Sequence, residues 1–93
     1  MTEYQEDIRD ALRRMYGLDF TYLWTEHVRG DFFGKPWDGV VEVFAVHGHE
    51  TAIHTYAWSV QEDNSIKYAA ALGIGPVVSA YKAVEAILAN EII

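Results

Sequence analysis

At 93 residues the chain is long enough for one domain built on a single core and too short for two. Hydrophobic residues make up 51% and charged residues 23%, the balance of a folded globular domain, which argues against intrinsic disorder. A net charge of -7 leaves no basic face to neutralise phosphates, so neither nucleic acid nor an anionic membrane surface is an expected partner.

The absence of cysteine removes disulfides, thiol catalysis and Cys-ligated zinc, and points to a cytoplasmic location. No apolar run approaches the roughly 20 residues that cross a bilayer, so a soluble protein is expected. The acidic, amphipathic start MTEYQEDIRD lacks the basic and apolar regions of a secretory signal and reads as part of the fold.

The first element is a helix. Thr2 with Gln5 three residues later makes a capping box, Glu3, Glu6 and Asp7 suit the positive end of the dipole, and Arg13 and Arg14 suit the negative end. Gly17 supplies the left-handed stop. Tyr4, Ile8, Ala11, Leu12 and Met15 recur at helical spacing and form the apolar stripe.

From Asp19 to Val28 the aromatic and β-branched run DFTYLWTEHV reads as a strand, with Phe20, Tyr22, Trp24 and Val28 on one side. Arg29 to Asp38 carries Gly30, Gly34 and Pro36 and reads as a loop. Its Phe32, Phe33 and Trp37 either plug the core or present a contact surface. Strands over Gly39–His47 and Glu50–Val60 follow, joined at Gly48-His49 by a type II′ turn that opposes Val43 to His54 and Val41 to Tyr56. The other face of that hairpin carries Val46, Phe44, Glu42 and Val40.

Ser65 to Leu72, SIKYAAAL, fits helix or strand by composition. The Asp63-Asn64 turn before it and Gly73 after it favour a fourth strand. Gly75-Pro76 opens the last helix, whose buried stripe is Val77, Ala80, Tyr81, Val84 and Leu88. The whole, residues 1–93, is one α+β domain of order α-β-β-β-β-α: an antiparallel meander of three to four strands with both helices packed on one face.

Two resemblances follow from these residues. The element order, with Gly75-Pro76 opening a helix that contains Lys82, Ala83 and Ala86, is similar to the double-stranded RNA-binding domain. That family grips phosphates with adjacent lysines in the first turn of its last helix, where this chain has Val78 and Ser79, so the resemblance implies a scaffold without the activity. Trp37 to Leu88, with Phe44, Gly48-His49 and Tyr56-Ala57-Trp58, resembles a group of small single-domain bacterial proteins of uncharacterised function. That resemblance implies boundaries and no mechanism.

Three kinds of function compete. His47, His49 and His54, with Glu50, offer metal ligands, but the II′ register separates His47 from His54 by roughly 13 Å and leaves His49 in the turn. His54, Tyr56, Trp58, Glu42 and Trp37 supply the aromatic walls and few polar groups of a small-ligand or enzyme site. No phosphate loop and no Ser-His-acid constellation is legible, Gly73-Ile74-Gly75 being too short, and no cofactor is expected. The chain carries more apolar surface than one small sheet hides. The first reading is therefore a protein-interaction or homo-oligomerising module that uses an exposed sheet face or edge. The alternative is a ligand-binding or metal-dependent enzyme centred on His54, Tyr56 and Trp58.

Overall fold

A computed structural model describes residues 1–92. Helix α1 covers Glu3–Tyr16 and is closed at both ends as its sequence requires. Gln5 N–H donates to Thr2 Oγ1 at 3.1 Å, Thr2 N–H donates to Gln5 Oε1 at 2.9 Å, and Gly17 takes φ 67. Four strands follow, β1 Asp19–Phe32, β2 Lys35–His47, β3 His54–Glu62 and β4 Ser65–Leu72, and helix α2 covers Ala80–Ile92. The strands form one antiparallel sheet in the order β1-β2-β3-β4, so the α-β-β-β-β-α meander is the fold, with Ser65–Leu72 as its fourth strand.

β1 holds one extra residue. Tyr22 opposes Phe44 and Trp24 opposes Val43, which leaves Leu23 as a β-bulge. The bulge reverses which side chains face which way. Before it, Phe20 and Tyr22 join Ile8, Leu12, Phe44 and Ala57 in one core; after it, Val28 and Phe32 join Val43, Tyr56, Trp58 and Val84 in another. Phe20, Tyr22, Trp24 and Val28, read from alternation as one row, therefore divide between the two faces.

Those cores lie on opposite sides of the sheet, because Val43 and Phe44 are neighbours in one strand. α1 packs on the first and α2 on the second, so the expectation that both helices share a face is corrected. The sheet reads as apolar on both sides, and one covering helix on each satisfies that pattern better than two on one.

The segment expected as a loop over Arg29–Asp38 is the tip of the β1-β2 hairpin. Gly30 opposes Trp37, and the strands turn at Phe33-Gly34 with φ 56 and 81, the positive pair of a type I′ turn. Phe32 is buried against Tyr81 with ring centroids 4.8 Å apart, while Phe33 is exposed. Trp37 lies over Gly39, where an added Cβ would stand 2.8 Å from the indole ring.

The β2-β3 connection is also longer than a two-residue turn. Ala45 opposes His54 and Val43 opposes Tyr56, a shift of two residues from the II′ register that keeps these paired side chains on their expected faces, whereas Ala52, expected opposite Ala45, lies in the loop and packs with Phe44 and Val46 on the other side. The intervening loop closes on His49, whose Nδ1 accepts from the backbone N–H of Thr51 at 3.1 Å and of Ala52 at 2.9 Å. The last helix begins later than Pro76: Ser79 Oγ accepts from Lys82 N–H at 3.2 Å and caps α2.

Candidate functional site

Five aromatic side chains share the α2 face. Trp37 meets Trp58 edge to face at 5.9 Å, Trp24 meets His54 at 5.6 Å, and His54 meets Tyr56 at 6.4 Å. The row changes character along its length. Trp58 and Tyr56 are 4% and 3% exposed and belong to the core beneath α2, whereas Trp24 is 42% exposed and His54 half-buried. Trp24 Nε1 donates to Glu26 Oε1 at 3.0 Å. Burial, and then the Glu26 carboxylate, push the Tyr56 hydroxyl above its ordinary value. The open end of the row is therefore Trp24, Glu26 and His54. Trp24 and Glu26 were missed in the sequence because strict alternation hides the bulge that turns them toward His54.

Glu42 is not part of that row. It lies on the α1 face, 3% exposed, as the centre of a polar cluster. Thr25 Oγ1 donates to Glu42 Oε2 at 2.5 Å and Gln5 Nε2 at 3.4 Å. Since the Thr25 hydroxyl proton is committed to Glu42, the Tyr22 hydroxyl donates to Thr25 at 2.7 Å. Gln5 thus uses its oxygen to cap α1 and its nitrogen to fasten the helix to the sheet. Glu42 anchors a helix; it does not reach a ligand beside His54.

The hairpin histidines do not converge either. His47 Nε2 bonds the Thr21 hydroxyl at 2.8 Å, His49 Nδ1 is occupied by the loop backbone, and His54 meets Trp24 edge to face. Among the described residues no group of three or more His, Cys, Asp or Glu side chains could hold a metal ion.

The two outer edges of the sheet differ sharply. Gly73 N–H donates to His54 O at 2.8 Å in register with the β3-β4 ladder. Hydrogen-bonded pairs alternate along antiparallel strands, so the odd residues of β4 direct their backbone groups at β3 and the even ones direct theirs outward. Ile66, Tyr68 and Ala70 therefore present N–H and C=O groups that have no backbone partner among the described residues. One charge, Lys67, lies on this strand, and it carries no proline and no bulge. Ile66 is 60% exposed and borders an open trough of about 480 Å³ lined by Ala11, Arg14, Met15, Lys67 and Tyr68. By the same alternation β1 turns outward the backbone of Thr25, His27, Arg29 and Asp31, after a bulge at Leu23.

Arg29, Asp31, Pro36 and Asp38 also line a shallow depression at the β1-β2 tip, where Asp38 bonds His27 and lies 3.6 Å from Arg29. No described helix is long and apolar enough to cross a membrane. No protein-family model, curated protein or solved structure matches the chain.

Proposed function

We propose that this chain is a small protein-interaction and homo-oligomerising module, and that it pairs through the outer edge of β4. One observation carries the reading: the contrast between the two edges. An unpaired strand edge templates pairing with another chain, and folded proteins that stay monomeric blunt theirs with charges, bulges or proline. β1 has a bulge and a row of polar and charged residues; β4 has neither. The exposed Ile66 and the trough beside it add apolar surface at the same place.

The small-ligand reading draws less support. Tyr56 and Trp58 are committed to the core, and Glu42 to the other face of the sheet.

Light scattering coupled to size exclusion tests the proposal. The mass should rise from 10.6 kDa toward twice that value with concentration, and Ile66→Lys should return it to 10.6 kDa without lowering thermal stability. A mass of 10.6 kDa at every concentration would end it.

A further inference from the structure

We infer that the partner is a second copy of the chain, and that two β4 strands pair antiparallel about a two-fold axis beside Ala69. This rests on the reading of β4 as the interacting edge and adds the partner and its register.

The register follows from two geometric constraints and from the fit of the opposed side chains. A two-fold axis perpendicular to the sheet keeps each α1 beside the other on one face, so opposed residues must point to the same side. New hydrogen-bonded pairs must join residues whose backbone groups face outward, which are Ile66, Tyr68 and Ala70, and Leu72 through its N–H, its carbonyl already accepting from Ile74 N–H at 2.8 Å. Only registers centred on a single residue meet both conditions. An axis at Lys67 opposes two ammonium groups directly, which is unfavourable. An axis at Tyr68 drives two rings together that already lean on their own α1 cores, and an axis at Ala70 shortens the ladder to Tyr68–Leu72.

An axis at Ala69 avoids all three faults. Tyr68 meets Ala70, Ile66 meets Leu72, and Lys67 meets Ala71, so every large side chain opposes a small or apolar one and the two lysines stay far apart. Ile66, 60% exposed in the single chain, is covered by Leu72 of the second copy beside the trough it shares with Met15. The arrangement is isologous and closes at two copies. Pairing β4 with the charged β1 edge of another copy would instead leave an open filament.

The chain has no cysteine, so one introduced thiol reports a single contact. At Ala69 the copies form a non-hydrogen-bonded pair with Cα atoms about 4.5 Å apart, within disulfide reach, whereas two Tyr68 positions lie on a diagonal about 8 Å apart, beyond it. Under mild oxidation Ala69→Cys should become a disulfide-linked dimer, while Tyr68→Cys stays largely unlinked. Adding Ala70→Pro, which removes an outward N–H and leaves the β3 ladder whole, should abolish cross-linking of the Ala69→Cys chain with its circular dichroism unchanged. Cross-linking at Tyr68 and not at Ala69, in a protein that is dimeric by light scattering, overturns the register and leaves the oligomerising reading standing. Absence of both cross-links in a monomeric protein overturns the two together, whereas capture of a different protein strand along β4 overturns the second copy as the partner and leaves β4 standing as the interacting edge.

Discussion

Phe33 sits at φ 56, a conformation that costs a bulky L-residue about 1–2 kcal/mol, and its side chain is 55% exposed and recovers little by burial. Nothing in its identity announces a type I′ turn, because such turns are marked by Asn, Asp or Gly, and so the β1-β2 tip reads from sequence as a loop. Phe33→Asn should raise stability by about 1 kcal/mol, or roughly 4–8 °C in Tm, in thermal denaturation; an unchanged or lowered Tm would contradict the turn assignment. Asp19 shows the opposite kind of legibility, since its partner is not readable from spacing at all. The Arg13 guanidinium donates to Asp19 Oδ1 at 2.9 Å and, with the Phe20 N–H, holds the carboxyl below its usual 3.8. A depressed carboxylate contributes stability that is present above the unfolded value and lost as pH falls through the folded one. Arg13→Ala should move the Asp19 titration, followed by carboxyl NMR, back toward 3.8, and an unmoved titration would remove the pair from the account.

At the scale of elements, α1 was legible in its ends and in the middle of its stripe, because a capping box, dipole-matched charges and a terminal glycine agree and Ile8, Ala11 and Leu12 are buried, but Tyr4 and Met15, read as part of the core-facing stripe, are exposed. β1 was legible as a strand and illegible as a surface. Alternation assigns faces only while the period stays at two, and one bulged residue at Leu23 inverts every later assignment. That single residue decides that Val28 and Phe32 go under α2 while Phe20 goes under α1. Deleting Leu23 should therefore expose buried side chains on one side or the other, at about 1.5–3 kcal/mol each, and unfold much of the chain. Leu23→Ala, at a position 38% exposed, should cost less than about 1 kcal/mol. Equal denaturation midpoints for the two variants would refute the role given to the bulge. In the candidate site, His54, Tyr56 and Trp58 keep the face that alternation assigns and Glu42 keeps the opposite one, Trp37 joins the first only because the expected loop is paired strand, and Trp24 with Glu26 enters only through the bulge.

For the whole molecule, the question left by composition was where the surplus of apolar residues goes. Two helices on opposite faces take most of it, leaving three layers and a sheet with two free edges. A meander's last strand is always an edge, so β4 was open to this reading from sequence. Its outward backbone groups were not, because they depend on the β3-β4 register. Amide hydrogen exchange resolved along β4 tests most directly the proposal that this strand is the contact between copies. The amides of Lys67, Ala69 and Ala71 already point at β3 and should be protected at every concentration, while those of Ile66, Tyr68 and Ala70 should exchange rapidly in dilute protein and slow as the dimer forms. Rapid exchange at Ile66, Tyr68 and Ala70 in a sample that light scattering shows to be dimeric would place the interface elsewhere and contradict the account.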